Sequence, residues 1–417
     1  MMSTMTGNLR RVILSGAIGA AAVLGAWGTA RADVASDKPG AILVFPKIVV
    51  DTQGVFGAPT DTEIQISNTS NHVIAARCFW ANATSHCSQN GKACTATDTH
   101  LCTAGDVCVP DSNCKETDFK MTLTKRQPIS FTANEGLLTF PLNGVTPVNG
   151  HSPFGPDGQS NRGSDGSPSS VLPVPENPFV GELKCVEVDP NSFLPTKGFD
   201  PANGLTGDLK GEATIVAVET DGDVDARKYN AIGIQATGTQ DTTPLTLTIG
   251  GTTPEYNGCP KTLILNHLFD DAEVSTSAGS ATVDTDITFV ACSEDFNLQQ
   301  PGGATLQFLV FNEFEQRFST STRFSCFKEI QLSDIDTRPG PSGNGQSIFN
   351  IGVQGTLGGQ TRIRPVEGAT QGNGVLAVAE SFWTCDSGPD GVCSAAANVH
   401  FTGTTTKPDQ LILSPEP

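Results

Sequence analysis

The sequence predicts an all-β protein, an antiparallel β-sandwich of immunoglobulin-like or related type, in two domains with a disulfide-rich insert. Three observations predict this. First, short segments in which apolar and polar residues alternate recur between turns rich in Gly, Asn, Asp and Pro. Second, no convincing amphipathic helix follows residue 32. Third, twelve cysteines accompany an export signal. About 385 residues follow that signal, more than the ~250–300 over which one core grows. We therefore expect domains at residues 33–250 and 251–417.

Residues 1–32 have the three parts of a secretory signal peptide. Arg10-Arg11 precede an apolar run from Val12 to Trp27, and Ala30-Arg31-Ala32 offers a cleavage site. The arginine pair resembles a twin-arginine signal, but cysteines that must oxidise favour the general secretory route. We expect a mature chain that begins near Asp33, has no membrane span, and is periplasmic, cell-surface or extracellular.

The charge balance disfavours nucleic acid and anionic membranes as partners. The chain has 25 basic and 44 acidic residues, a formal net charge of −19. Removing the signal peptide takes away three arginines and no acid, so the mature chain is more acidic still. Such a surface repels phosphate backbones. Solubility outside the cell is a simpler explanation of this charge than a specific cationic ligand.

The first domain opens with a nearly continuous apolar stretch, residues 41–50, which contains Pro46. Because proline cannot donate to a ladder, this predicts an edge strand or a strand that changes partner at Pro46. Alternate residues from Ile74 to Trp80 share one face of a hairpin strand, so Cys78 and Trp80 should point inward. Further strands are predicted at residues 118–123, 129–131, 179–188, 213–218, 229–235 and 245–249.

Two segments interrupt these strands. Residues 84–117 are a cysteine-dense insert, in which Cys87, Cys94, Cys102 and Cys108 form a self-contained cassette with turn residues between them. Cys114 is then left to pair with Cys78 at the base of the insert. Residues 143–178 are rich in Gly, Ser, Pro and Asn without apolar periodicity, which predicts a long mobile surface loop.

The second domain repeats the alternating pattern, with strands predicted at residues 262–265, 287–292, 306–311, 324–332, 348–353, 375–379 and 411–413. Residues 306–311 are apolar on both faces, as in a central strand. Cys385 and Cys393 bracket a tight turn and should pair with each other. Four cysteines remain, namely Cys185, Cys259, Cys292 and Cys326, and spacing alone leaves their pairing open. We favour a bridge between Cys292 and Cys326.

No sequence motif marks a catalytic nucleophile, a metalloprotease helix or a phosphate loop, so we expect no enzymatic activity. Zinc bound in the cassette by Cys87, Cys94, Cys102, His86 and His100 is disfavoured, because no Cys-x-x-Cys step occurs and exported thiols oxidise.

His267 is followed closely by Asp270, Asp271 and Glu273. A histidine beside exposed acids is more often a solvated strand end than a catalytic group, and we interpret it in that way.

Asp221, Asp223 and Asp225 stand at alternate positions after a predicted strand, the oxygen-rich pattern that a calcium loop uses. No Glu closes the loop and no helix flanks it, so a hydrophilic hairpin turn is the favoured interpretation. We expect no other cofactor.

Carbohydrate binding on a β-sandwich normally uses exposed aromatic rings. The mature chain offers Trp80, Trp383, Tyr229 and Tyr256 beside its phenylalanines, and Trp80 is predicted to face the core. This counts against a lectin or a glycosidase.

Several segments together resemble a group of exported proteins of environmental bacteria that have no assigned function. These segments are Asp61-Thr-Glu-Ile-Gln-Ile-Ser-Asn-Thr-Ser, Arg77-Cys-Phe-Trp, Gly181-Glu-Leu-Lys-Cys, Cys292-Ser-Glu-Asp-Phe and Phe311-Asn-Glu-Phe-Glu-Gln-Arg-Phe-Ser-Thr. The resemblance implies a β-rich exported protein and transfers no functional residue.

The sequence thus predicts an exported, disulfide-stabilised, non-enzymatic protein with a structural, adhesive or binding role at or outside the cell surface, where its partner is a protein or a glycan. The alternative is a secreted hydrolase or carbohydrate-binding protein. Its site would be built from acids on separate loops, such as Asp221, Asp223 and Asp270, and would be calcium-dependent.

Overall fold

The computed structural model describes most of the chain after residue 33. The described residues are 34–95, 101–110, 114–136, 171–195, 207–218, 222, 224–237, 243–276, 279–336, 347–385 and 392–415. The predicted signal peptide lies outside them. No helix in these ranges is long and apolar enough to cross a membrane.

The strands of the first half alternate with turns, as the period-two pattern predicts. Their bounds are β1 (Ile42–Val50), β2 (Thr60–Asn68), β3 (Ile74–Asn82), β4 (Ser85–Cys87), β5 (Ala93–Cys94), β6 (Cys108–Val109), β7 (Lys115–Leu123), β8 (Pro128–Thr132), β9 (Phe179–Val188), β10 (Leu209–Val218), β11 (Val224–Asn230) and β12 (Ile232–Ile234).

The second half continues in the same way, with one short α-helix, α1 (Ile351–Gln354), and one 3-10 turn (Leu332–Asp334). Its strands are β13 (Thr246–Ile249), β14 (Pro260–Leu268), β15 (Ala272–Thr276), β16 (Gly279–Ala291), β17 (Glu294–Asp295), β18 (Gly303–Asn312), β19 (Arg317–Ser325), β20 (Phe327–Gln331), β21 (Gly358–Pro365), β22 (Val375–Cys385), β23 (Val392–Asn398), β24 (His400–Thr404) and β25 (Asp409–Ile412). The predicted all-β fold is confirmed.

Two sandwiches account for most of these strands. In the first, sheet A (β12-β1-β9-β3-β7) packs on sheet B (β11-β10-β2-β8). In the second, sheet C (β19-β18-β21-β14-β24) packs on sheet D (β15-β16-β22-β23, with β20 also beside β16). A small sheet E (β13-β25-β17) and the cassette sheet F (β5-β4-β6) complete the described architecture.

Sheet A is buried on both faces, which explains the nearly continuous apolar run of β1. Leu43 and Phe45 belong to the core shared with sheet B, whereas Ile42 and Val44 belong to a second core on the opposite face. A strand covered on both sides has no polar face to alternate with. The pairing of β1 with β12 ends at Val44, and the register of β1 with β9 shifts between Phe45 and Ile48. Pro46 therefore lies where the ladder is interrupted, and its missing N–H leaves no hydrogen bond unmade.

The core on that opposite face contains side chains from both halves of the chain. Phe79 of β3 stacks on Phe296, with ring centroids 4.3 Å apart, and Leu247 and Leu411 of sheet E belong to the same cluster. The proposed boundary between residues 250 and 251 stays a prediction.

The disulfides differ from the favoured sequence pairing. Cys78 bonds Cys185, its direct neighbour across the β3–β9 ladder, and Cys114 bonds Cys326. The predicted Cys78–Cys114 bridge is wrong because the two cysteines belong to cores on opposite faces of sheet A.

The other described bridges are Cys87–Cys102 and Cys94–Cys108, both inside the cassette, and Cys259–Cys292. The favoured Cys292–Cys326 pairing is therefore also wrong. The side chains of Cys385 and Cys393 lie outside the described part of the structure. Several disulfides indicate an oxidising, non-cytoplasmic location.

Of the predicted mobile loop 143–178, the structure describes residues 171–178. Val171 and Val174 are buried in the first core, and the indole N–H of Trp80 donates to the Leu172 carbonyl over 2.9 Å. This end of the segment therefore packs against the sandwich, which differs from the mobile surface loop that its composition predicts.

Candidate binding groove

An open groove of about 440 Å³ lies between the two sheets of the second sandwich. The end of β14 and the start of β21 provide one wall, and sheet D provides the other. The lining residues are Asn266, His267 and Leu268 of β14, Gly358 and Gly359 of β21, and Val283, Ser381 and Trp383 of sheet D.

Glycine is required at one point of this lining. A Cβ atom on Gly359 would lie 2.5 Å from the ring of Phe269, well inside van der Waals contact. Phe269 is fully buried, so it cannot move without opening the core. The close approach of the β21 backbone to this ring therefore fixes the shape of the groove beside His267.

His267 is part of the groove wall rather than a free catalytic base. Its Nδ1 lies 2.8 Å from the Leu268 carbonyl and its Nε2 lies 2.8 Å from the Thr361 hydroxyl. Because a carbonyl only accepts, Nδ1 carries the proton and Nε2 accepts from Thr361. Burial lowers the pKa of His267 to about 4, so the ring is neutral at physiological pH and both nitrogens are occupied.

Trp383 provides an accessible aromatic surface in this groove. Of the four Trp and Tyr side chains that follow the predicted signal peptide, Trp80, Tyr229 and Tyr256 are buried, whereas Trp383 is only partly buried. It lies opposite Val283 in the β16–β22 ladder. The sequence offers Trp383 as an aromatic side chain but predicts a strand only over residues 375–379, whereas β22 continues to Cys385, so its position on a strand at the groove was missed.

Phe314 is a second accessible ring near the groove, which a count restricted to Trp and Tyr side chains does not include. It lies in the β18–β19 turn with 68% of its surface exposed. The Glu313 carboxylate accepts a 3.1 Å hydrogen bond from the N–H of Gly358, a groove residue. An apolar ring between two glutamates in a turn is the signal that could have identified it.

Asp270, one of the acids of the alternative hydrolase site, is a structural group. Its carboxylate accepts hydrogen bonds from the N–H groups of Thr285 (3.0 Å) and Ser333 (2.8 Å) and is only 1% exposed. Burial raises its pKa to about 7. The neighbouring Asp271 accepts from the Asn350 amide, so these carboxylates hold loops together beside the groove.

The raised pKa of Asp270 predicts a pH dependence of stability. An unfolded aspartate titrates near 3.9, so the stability that Asp270 contributes is fully present below that pH and is lost as the pH rises towards 7. We expect the wild type to lose stability relative to Asp270→Asn between pH 4 and pH 7. Urea unfolding at several pH values measures this, with Asp271→Asn as the charge-matched control. A difference between wild type and Asp270→Asn that stays constant over this range would contradict the assignment.

The calcium expectation rests largely on residues that the structure does not describe, namely Asp221 and Asp223. The described member, Asp225, accepts a hydrogen bond from the Ser394 hydroxyl and lies 3.9 Å from Nε of Arg227. Its carboxylate therefore already has partners within the protein. Calcium binding at this loop stays a prediction.

Two groups of potential metal ligands are close together in the described residues, and their sulfur atoms are oxidised. The first is Cys87, Cys94 and Cys102, and the second is Cys259, Cys292 and Asp409. Every cysteine in both groups forms a disulfide, and a disulfide sulfur is not the thiolate that binds zinc.

Buried ion pairs lie between the two sandwiches rather than in the groove. Lys47 of β1 binds Glu329 of β20 at 2.6 Å and also binds Glu380 of β22, and Arg227 lies 3.3 Å from Glu380. Burial alone lowers the pKa of Lys47, but the two carboxylates more than offset this, so its pKa is raised. These charges link the halves of the chain and are not available to a ligand.

A second buried group joins sheet A to sheet E. Nζ of Lys184 lies 2.5 Å from carboxylate oxygens of Glu182 and of Glu294. Burial raises the pKa of Glu182 to about 8, an effect that the Lys184 charge opposes. Like the Lys47 group, this cluster is inside the protein.

Comparisons with known proteins give little guidance. No family model and no curated protein matches the chain. Among solved structures it is similar to a Streptomyces avermitilis alpha-L-rhamnosidase complexed with L-rhamnose, with 8% identity and a TM-score of 0.14 over 91% of this chain and 35% of that one. It is also similar to the CupB6 tip adhesin from Pseudomonas aeruginosa, with 10% identity and a TM-score of 0.12 over 88% of this chain and 93% of that one. The chain thus spans about a third of the rhamnosidase, and similarity this low supports no functional inference.

Proposed function

We propose that this chain is an exported, disulfide-stabilised, non-enzymatic binding protein that acts at or outside the cell surface and binds a saccharide in the Trp383 groove. The observation that carries the proposal is the partly exposed Trp383 ring beside Ser381 in the open groove. A sugar presents an apolar ring face and a rim of hydroxyls, which an aromatic surface with a neighbouring hydroxyl group complements.

The surrounding structure supports binding without a change of shape. The groove walls come from paired strands of two sheets packed on one core, with β14 held between β21 and β24. His267 is fixed by two hydrogen bonds. Side chains held on strands of this kind give a preorganised site and reduce the entropy lost on binding.

The alternative, a hydrolase built from Asp221, Asp223 and Asp270, has weaker support. Asp270 is buried and accepts two backbone hydrogen bonds, which leaves its carboxylate without access to a substrate in the groove. A binding role uses the groove as it stands.

We expect Trp383→Ala to weaken saccharide binding by on the order of tenfold, because the stacking surface is lost while the fold is kept. The measurement is saturable retention of the purified protein on a panel of immobilised neutral and acidic glycans. Leu298→Ala is the control, since Leu298 is an apolar side chain that is 61% exposed and does not line the groove.

Unchanged retention of Trp383→Ala would contradict the proposal. Release of shortened glycan with time would instead favour the hydrolase, and the same panel detects it when the supernatant is analysed for reducing ends.

A further inference from the structure

Sheet C has an unusual charge composition for this protein. The chain as a whole has 44 acidic residues against 25 basic ones. None of the five strands of sheet C contains an Asp or a Glu, while β19 and β21 each contain two arginines. The sheet is thus a cationic element in a strongly anionic chain.

All four arginines are on the outer face of the sheet. In β19 the residues that face the core are Phe318, Thr320, Thr322 and Phe324, which are paired with the core residues of β18, so Arg317 and Arg323 point outward and are exposed. In β21 the core residue Ile363 lies between Arg362 and Arg364, which are exposed as well. We call this outer surface of sheet C the basic face.

The arginines form a two-dimensional array. β18 separates β19 from β21, and neighbouring strands are ~4.8 Å apart, so the two arginine pairs are about 10 Å apart across the sheet. Along the strands, Arg362 and Arg364 are about 7 Å apart and Arg317 and Arg323 about 20 Å apart. An extended ligand lying on the sheet can therefore contact several guanidinium groups at once.

These arginines have no acidic partner among the residues that the structure describes. Arg362 donates to the Gln360 side chain over 3.3 Å and its guanidinium lies 5.8 Å from the Phe311 ring centroid. No described salt bridge involves any of the four. Lys47 and Lys184, in contrast, are buried against carboxylates, so the basic face holds positive charge that no described carboxylate neutralises.

The basic face begins at the groove. Asn266 lines the groove, and its side-chain oxygen accepts a 3.3 Å hydrogen bond from Gln360 on the neighbouring strand β21. Gln360 and Arg362 are two residues apart on the same strand and share the outer face. Asn266 and Gln360 therefore lie on the outer side of the sheet at the edge of the groove, and a polymer with one unit at Trp383 reaches the arginines by turning round the end of β14 and the start of β21.

We propose that the basic face binds an acidic polysaccharide, one that carries carboxylate groups, as the continuation of the chain held in the Trp383 groove. This inference rests on the proposed saccharide-binding function and names the class of saccharide. Guanidinium groups bind carboxylates through two parallel hydrogen bonds. Between the arginines, Gln307, Ser319 and Ser321 point outward and are exposed, and they can bind the hydroxyls.

The chemistry of the face favours a polysaccharide over other polyanions. Duplex DNA carries one negative charge per ~1.7 Å, so the net charge of −19 repels it strongly. A polyuronate carries one carboxylate per sugar ring and is repelled less. A second protein copy would be expected to bury an exposed apolar centre, whereas the apolar residues that β18 presents on this face, Leu309 and Phe311, are half-buried and the exposed residues of β18, β19 and β21 are polar.

The test is binding of the full chain to polygalacturonate, with dextran as the neutral glycan and duplex DNA as the competing polyanion. We expect polygalacturonate to bind at least tenfold more tightly than dextran, and we expect this preference to be lost in Arg362→Gln/Arg364→Gln and reduced at high salt. The charge-matched control is Arg126→Gln/Lys228→Gln, which removes two exposed cations of the first sandwich and should keep the preference. Thermal unfolding confirms that both double variants are folded.

The outcomes separate the two proposals. If neither polygalacturonate nor any neutral glycan binds, both fail. If neutral glycans bind through Trp383 but polygalacturonate binds no more tightly than dextran, only the basic-face proposal is overturned. The same holds if polygalacturonate binds more tightly and this preference survives in Arg362→Gln/Arg364→Gln. DNA binding of equal strength, or a dimer in wild type that is lost in the variant, would also overturn it, in favour of a general polyanion site or a second copy.

Discussion

Replacing Cys114 and Cys326 by serine is expected to lower the free energy of unfolding by about 2–5 kcal/mol. This bridge closes the longest described loop, with a sequence separation of 212 residues, compared with 107 for Cys78–Cys185 and 15 for Cys87–Cys102. A longer closed loop restricts the unfolded chain more. The bridge also joins the start of β7 in the first sandwich to the β19–β20 junction in the second.

Urea unfolding of the oxidised protein measures the effect, and Cys87→Ser/Cys102→Ser is the matched control. The control also removes one disulfide and leaves an even number of cysteines, but its loop is inside the cassette. We expect the control to shift the global transition less. Equal shifts for the two double variants, or none for Cys114→Ser/Cys326→Ser, would show that the bridge does not hold the two halves together.

Glu380→Gln is expected to destabilise the protein by about 3–5 kcal/mol, because it removes the buried carboxylate that Lys47 and Arg227 share. The Glu380 side chain is 1% exposed and lies between Lys47 and Arg227. The Gln amide keeps the size of the side chain and loses its charge. Since Lys47 belongs to β1 and Glu380 to β22, the loss acts at the junction of the two sandwiches.

Two further variants make this prediction specific. Glu329→Gln removes the other carboxylate that contacts Lys47, but this side chain is 32% exposed, so a smaller loss is expected. Lys47→Met/Glu380→Leu replaces the pair by apolar side chains of similar size and should recover the part of the loss that is due to Lys47, while Arg227 keeps, among the described carboxylates, only Asp225 at 3.9 Å. A double variant as unstable as Glu380→Gln would mean that packing, rather than the unpaired charge, causes the effect.

The sequence was sufficient for most of the local structure, although the strand predicted at residues 348–353 is wrong because this segment contains the helix α1 (Ile351–Gln354), capped by the Asn350 side chain. Period-two alternation located the strand around Cys78 and Trp80 and predicted that both side chains face inward, and both are fully buried. The apolar stretch at residues 306–311 was predicted as a central strand, and β18 lies between β19 and β21. Both the alternation at Cys78 and Trp80 and the apolar run at residues 306–311 are read from neighbours in the chain, which is why these predictions succeeded.

What failed depends on contacts between distant segments. Cys114 and Cys78 are close in sequence, but a sheet with two buried faces separates their side chains, and nothing in the spacing reveals a second buried face. The arginines of β19 and β21 come together only because both strands flank β18. The average charge of the chain also hides this local excess of cations.

The most direct test of the Trp383 groove is a fluorescence titration. The chain from Asp33 onward has two tryptophans, Trp80 in the first core and Trp383 in the groove. With an oligogalacturonate as ligand, we predict a saturable change in emission that is absent in Trp383→Phe, where Trp80 alone emits. Binding detected by calorimetry with no change in Trp383 emission would place the ligand elsewhere and contradict the groove as the saccharide site.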